Sequence, residues 1–421
     1  MKNFTSNKYS SRRRSPQKDE YILAYVCGCF AIIYLIILLV MNFTLIKNFD
    51  GRDQVYHSQR KITEGKQEIV NGLVEEFGAI QMSEEKDFID SKLDKGIELS
   101  KQMKKLNGNN SKSLIVQNIE NGITRPGLIV LGMHRSGTSM LGGLLAKALG
   151  YNVGPNNTLI GAHFDNQKGF FERVDVVLQN DEFMRKQRVD YANNVINYDH
   201  EKALKMKNSG QLNFGQGNKS LSFYNNPDNS PWMQKDPRMC ITLKTWLPLL
   251  NGSPAILFSF RNPLEVAKSM EKRDGSTVFP ITRGLRLWIV YNMRAIQNSA
   301  HLCRVITSNE ALMTDTMNEL KSIGEGLRKC GVPPPSNASK SIVETFVDPS
   351  MHLDTTKYLK TDKIIDQHGD CIVYDYVSSG DSAHAHQPLE LNLYKVSMKI
   401  FCDLKSGAAY KPDYVWPKLP H

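Results

Sequence analysis

The longest apolar run in the chain is Tyr21 to Ile46, 26 positions without a charged residue. As a helix rising about 1.5 Å per residue, it is long enough to cross a hydrocarbon core of about 30 Å. Over 47–106 the run gives way to a stripe. Ile62, Ile69, Leu73, Phe77 and Ile80 recur at spacings of three, four and seven, which predicts a helical stem. A dimerising coiled coil is the sharper reading, but it calls for more regular heptads than these. Asn107 to Ser111 interrupts the stripe as a linker.

From Pro126 the pattern is that of a globular domain. Gly127 to Leu131 is a short apolar run, followed by a Gly/Ser turn and then a helical pattern through Leu149, closed by Gly150. Ala255 to Phe260 reads as a second buried strand, and Pro263 to Lys272 as a helix with proline in its first turn. Helical stretches follow near 282–301 and 316–330. Strands alternating with helices predict an α/β domain, a parallel sheet covered on both faces. Residues 205–230, rich in Asn, Gly and Ser, predict an exposed insertion. The last ~50 residues carry few signals and read as a separate elaboration. The chain thus divides into a tail (1–20), a membrane segment (21–46), a stem and linker (47–125) and a domain (126–421).

Charge gives the membrane segment a direction. Lys2, Lys8, Arg12, Arg13, Arg14 and Lys18 precede it against only Asp19 and Glu20, so the tail is expected in the cytosol and the domain in a lumen. The run is too long for the apolar core of a cleaved signal peptide and has no small-residue cleavage site after it, which favours a signal anchor. The net charge of +10 suits an acidic ligand such as a nucleotide or an anionic glycan, and the lumenal placement argues against nucleic acid. Asn-x-Ser/Thr triplets beyond the tail fit a glycoprotein of the secretory pathway. Of seven Cys, five fall in the domain, an odd number that leaves a thiol unpaired in an oxidising lumen. None forms a C-x-x-C pair, so no zinc is expected.

Two motifs carry chemistry. GMHRSGTS at 132–139 follows the first strand and opens a helix, so backbone amides and a helix N-terminus can hold phosphate oxygens. Arg135 adds a cation, and Ser136, Thr138 and Ser139 add hydroxyls around Gly137. The Walker lysine is absent. RNPLEVAKS at 261–269 follows the second strand. Ser269 lies about two turns into its helix, so Arg261 and Ser269 could share one phosphate beyond the strand's carboxyl end. Either motif alone also reads as an ordinary helix start. Two in the same strand-loop-helix context point to an anionic ligand.

GMHRSGTS, KGFFE, KDPRMCITLKTWLPLL and FRNPLEVAKSMEKRDG, in that order, resemble the sulfotransferase superfamily over roughly 126–350, and among its members the membrane-anchored Golgi carbohydrate and tyrosylprotein enzymes. The resemblance implies a P-loop-like α/β fold and 3′-phosphoadenosine 5′-phosphosulfate (PAPS) as donor, without a metal. It puts the 5′-phosphosulfate loop at 135–139 and the 3′-phosphate on Arg261 and Ser269. It also implies Glu172 as the base, Lys235 at the bridging oxygen, and Arg135 at the leaving phosphate. His163 is the rival base, and Glu172 has the plainer reading of a helix cap. Asp236 and Arg238 read as a pair that shapes their turn, and His134 and Arg173 as supporting or surface residues. The Gly-rich basic C-terminal loop of the cytosolic members is missing. The acceptor would be a hydroxyl or amine of a glycan or protein. A nucleotide-dependent kinase lacks its Walker lysine and a Mg²⁺ carboxylate here, and a lumenal glycosyltransferase lacks Asp-x-Asp. A non-catalytic binding protein on the same fold is a further alternative.

Overall fold

The computed structural model describes residues 114–163, 166–347, 355, 358–369, 371–376 and 387–419. All belong to one compact unit, Lys105–His421. The predicted tail, membrane segment and stem, with the proposed stem dimer, lie outside the described residues. No described helix is long and apolar enough to cross a membrane.

The chain opens with β1 (Ile115–Gln117), β2 (Gly127–Leu131) and α1 (Thr138–Lys147), then α2 (Val174–Arg185), α3 (His200–Asn208) and α4 (Gly215–Tyr224). Next come β3 (Trp232–Lys235), α5 (Met239–Trp246), β4 (Ala255–Phe260), α6 (Pro263–Asp274) and α7 (Ile281–Asn298). They are followed by β5 (Arg304–Ser308), α8 (Asn309–Thr314), α9 (Thr316–Lys329) and α10 (Lys340–Phe346). A hairpin of β6 (Leu359–His368) and β7 (Cys371–Tyr376) and the long α11 (Gln387–Ser406) complete it.

Five strands form one sheet in the order β1-β5-β4-β2-β3, all parallel except β1, which runs antiparallel to β5. Alternate residues face opposite sides. Ile129 and Leu131 join one apolar cluster with Ile256 and Phe258, while Leu128 and Val130 join the other with Leu257 and Val305. Every residue of β2 and β4 is buried, as a sheet covered on both faces requires.

This topology locates the site. Leu141, Leu144 and Leu145 of α1, spaced three and four apart, pack on one face, whereas Leu264, Val266 and Ala267 of α6 pack on the other. The neighbouring strands β2 and β4 therefore lead into helices on opposite faces. Their carboxyl ends form a crevice of the kind in which open α/β sheets bind ligands.

Two expectations are corrected. Residues 205–230 are largely exposed, as expected, but they are not an irregular insertion: they hold α4, which docks through the buried Gly217, Ser220 and Tyr224, and Trp232 Nε1 donates to the Tyr224 carbonyl at 3.0 Å. Asn218 and Ser222 lie on the outer side of this helix, and Ser209, Gly210, Asn213, Asn225 and Asn226 fall in the turns on either side of it. The C-terminal region is not a separate elaboration either. Phe401 of α11 stacks edge-on to Phe260, Tyr410 to Phe258, and both join the cluster beneath the sheet. Disulfides link Cys303 to Cys330 and Cys371 to Cys402, leaving Cys240 as the unpaired thiol among the described residues.

Candidate active site

The loop between β2 and α1 holds its shape through its own backbone. The Ser136 amide donates to the Met133 carbonyl at 3.2 Å, and the Gly132 amide donates to Cys240 Sγ at 3.2 Å. Burial pushes the Cys240 thiol up to about 12, so the sulfur stays a protonated acceptor. Arg135 and Gly137 both adopt positive φ, 66° and 79°. At Gly137 the reason is twofold, because a Cβ there would also collide with the Asn309 side chain. No side chain caps α1, so the amides of its first turn remain open to an anion. Ser136 Oγ is buried with no hydrogen-bond partner. An orphaned donor beside uncapped amides fits a phosphate or phosphosulfate oxygen.

Lys235 ends β3, and the register of β3 against β2 pairs it with Val130, next to this loop. Its Nζ donates to Glu172 Oε1 at 2.5 Å and to Ser139 Oγ at 3.1 Å. Lys235 is 1% exposed and Glu172 6%, so water scarcely screens the pair. Burial pushes the Glu172 carboxyl above the usual carboxylate range, against the opposing pull of the Lys235 ammonium. Glu172 reaches this position on a strap laid across α1. Gly142 and Gly143 make room for it: a Cβ at Gly142 would crowd Phe171, and one at Gly143 would clash with Phe346 and Phe171. The helix-cap reading of Glu172 fails, since α2 takes Arg173 as its N-cap and Asp175 as its first-turn acid.

Arg238 places Nη1 4.0 Å from Glu172 Oε2. It is fixed by Asp181 at 2.7 Å and Asp236 at 3.0 Å. Asp236 in turn accepts from Asn180 Nδ2 at 2.7 Å. Asp236 and Arg238 thus do shape their turn, and Arg238 is also a charged neighbour of the candidate base, which the sequence reading missed. Its signal was its place in the same block as Lys235.

The second motif meets the first across the crevice. Asn262 caps α6 by accepting from the Leu264 amide at 2.9 Å, and Pro263 stands at the first helical position, which aims the preceding Arg261 at the loop. Arg261 Nη1 donates to the Arg135 carbonyl at 3.3 Å and its Nε to Glu265 at 2.6 Å. Arg135 Nε donates to Ser269 Oγ at 3.0 Å. The structure therefore brings six of the nine sequence-predicted residues into two adjoining groups: Glu172, Lys235 and Ser139 on one side, Arg135, Arg261 and Ser269 on the other. Ser136, Gly137 and Thr138 lie between them. The Arg135 side chain lies with Ser269 rather than with Lys235.

His134 sits in the loop against the rings of Tyr191 and Tyr291, at 5.2 and 5.7 Å, and its Nε2 is buried without a partner. Burial, reinforced by Arg238, Arg273, Lys235 and Arg135, holds its pKa well below the usual histidine value, so the ring stays neutral at physiological pH. Arg173 is buried, paired with Asp175 at 2.7 Å and stacked 4.2 Å over Phe223. It holds the start of α2. His163 pairs backbone to backbone with Asn166 at the start of the strap.

No family model matches the chain, and no curated protein matches it. Several solved structures do. One is a sulfotransferase domain from the curacin biosynthetic pathway, 14% identical with a TM-score of 0.32, covering 55% of this chain and 82% of that one. A second is a sulfotransferase from Mycobacterium tuberculosis H37Rv, 15% identical with a TM-score of 0.34, covering 53% and 71%. A third is retinol dehydratase in complex with androsterone and the inactive cofactor PAP, 13% identical with a TM-score of 0.26, covering 71% and 85%. These neighbours are sulfotransferases and a retinol dehydratase. The likeness is remote, and the functional reading rests on the site's own geometry.

Proposed function

We propose that the chain transfers a sulfuryl group from PAPS to a hydroxyl or amine of a glycan or protein in the Golgi lumen. The observation that carries this reading is the buried Glu172–Lys235 pair, hydrogen-bonded to Ser139 at the first turn of the phosphate loop's helix. PAPS would supply an activated sulfuryl group on a leaving phosphate. Ser136, Thr138, Ser139 and the amides of the loop would hold its 5′ end, and Arg135, Arg261 and Ser269 its 3′-phosphate end. Glu172 takes the proton from the acceptor as the new O–S bond forms. The S–O bond to the phosphate breaks, its electron pair leaves with the phosphate, and Lys235 meets the negative charge that grows there.

Substituting Arg261 tests the donor assignment. A charge-assisted contact to phosphate is typically worth about 1.5–3 kcal/mol, so Arg261→Ala weakens 3′,5′-bisphosphate binding by about tenfold or more. Calorimetry should show little change for the 5′-monophosphate. An equal loss for both nucleotides would assign Arg261 to the other end of the ligand or to the fold.

The tail's basic residues and the uncharged 26-residue run support a single-pass type II anchor with the domain in the lumen. In intact microsomes, protease should spare everything after residue 46 and digest the tail. The reverse pattern would remove the lumenal assignment.

A further inference from the structure

Asn309 follows β5 as Arg261 follows β4. The register pairs Phe260 with Ser308, so the two residues stand at the same level where their neighbouring strands end. Arg261 meets the phosphate loop at the Arg135 carbonyl, and Asn309 meets it at Gly137. The approach is close: a Cβ on Gly137 would lie 2.2 Å from Asn309 Nδ2. Gly137 is the N-cap residue of α1, whose uncapped first-turn amides are the loop's own donors to an anion.

Asn309 does not cap its helix. Ser308 does, with its Oγ accepting from the Ala311 amide at 3.1 Å. Asn309 is 7% exposed, and among the described residues its side-chain amide makes no hydrogen bond. A primary amide so deeply buried carries a free-energy cost until a partner arrives. Ser136 Oγ, one residue before Gly137, is buried without a partner in the same way. Two polar side chains without partners therefore meet at Gly137, one from the loop and one from the end of β5. The charged side chains nearest to them along the loop and β4 are Arg135 and Arg261, so the ligand that satisfies both is an anion.

We propose that Asn309 is a further binding residue for the donor, its side-chain amide donating to an oxygen of the 5′-phosphosulfate. The proposal rests on the sulfuryl-transfer reading and adds to it a ligand from a third strand, outside both motifs.

Two substitutions separate this role from mere packing against Gly137. Asn309→Asp keeps the side chain's shape but removes the donor and brings a negative charge to the anion. Asn309→Ala removes the donor and the bulk together. If the residue binds the donor, the isosteric variant is the worse of the two; if it only fills space, the truncated one is.

The test is calorimetry of the full chain with adenosine 5′-phosphosulfate and with adenosine 3′-monophosphate, alongside denaturant midpoints of each variant. Asn309→Ala should weaken binding of the 5′-phosphosulfate about tenfold, and Asn309→Asp about a hundredfold, through loss of a charge-assisted bond and like-charge repulsion. Affinity for the 3′-monophosphate should stay within about twofold in both. An Asn309→Asp chain that binds the 5′-phosphosulfate as well as or better than Asn309→Ala would overturn the proposal, as would equal losses for the two nucleotides. Should Asn309→Asp fail to fold, Asn309→Ala decides alone: a loss confined to the 5′-phosphosulfate supports the proposal, and no loss or an equal loss for both nucleotides overturns it. An unaltered chain that bound neither nucleotide would strike the sulfuryl-transfer reading itself, and this proposal with it.

Discussion

Glu172→Gln lowers kcat by about 10²–10⁴ while donor affinity stays nearly unchanged, because it removes the proton acceptor; it also leaves the buried Lys235 ammonium without its counter-charge, so the denaturant midpoint of the variant falls as well. The amide keeps the side chain's shape and can still accept from Lys235. A hydroxyl is a poor nucleophile at neutral pH, so losing its base falls on the chemical step. The pH profile adds an independent signature. Burial raises the Glu172 carboxyl above the usual carboxylate range, and the base works only when deprotonated. The rate therefore climbs with pH along a limb that lies above that range, and the limb disappears in Glu172→Gln. An amine acceptor with a substantial neutral fraction would suffer a smaller loss. A near-normal kcat on a hydroxyl acceptor would remove Glu172 from the mechanism and turn attention to His163.

Lys235→Met has the second large effect, and it reaches stability as well as rate. The ammonium is 1% exposed and bonds the Glu172 carboxylate at 2.5 Å. Removing one partner of a buried pair typically costs about 3–5 kcal/mol, because the other charge is left uncompensated. In this variant the orphaned Glu172 holds its proton more tightly folded than unfolded. Its folded pKa lies above its unfolded value, so stability is greatest at acidic pH and is lost as pH rises through the carboxylate range. Denaturant midpoints against pH should show this slope. Adding Glu172→Gln should recover much of the loss, since no charge then remains to be paired. A double variant as unstable as the single would show that Lys235 supports the fold through its strand rather than through this pair.

The parts of the fold that the sequence made legible are those whose signal is local. The bounds expected for β2 and β4 match, because both are continuous apolar runs buried on two faces. The helix of the second motif begins at Pro263 as expected, where an Asn cap and a proline leave little choice, but runs on to Asp274. By contrast, β3 reads Trp-Met-Gln-Lys, with Gln234 buried against Tyr224 and Lys235 buried at the site, so no continuous apolar run marks it. Tyr224, packed beside Trp232 and hydrogen-bonded to Gln234, gives α4 its place in the core, and composition alone hid that contact behind Asn, Gly and Ser. The candidate site was legible as a set of residue types in two motifs. That Arg135 turns to Ser269, and that Tyr191 borders the loop, depends on tertiary approach across the crevice between β2 and β4, which spacing along the chain does not encode.

The most direct measurement is transfer itself. The full chain is incubated with radiolabelled sulfate donor and a panel of glycans and Tyr peptides, and both labelled acceptor and released 3′,5′-bisphosphate are counted. Label appearing with equal bisphosphate, and falling about 10²-fold or more in Glu172→Gln, is the predicted result. A chain that binds the bisphosphate yet transfers nothing to any acceptor, or that moves the γ-phosphate of ATP instead, would contradict sulfuryl transfer at this site.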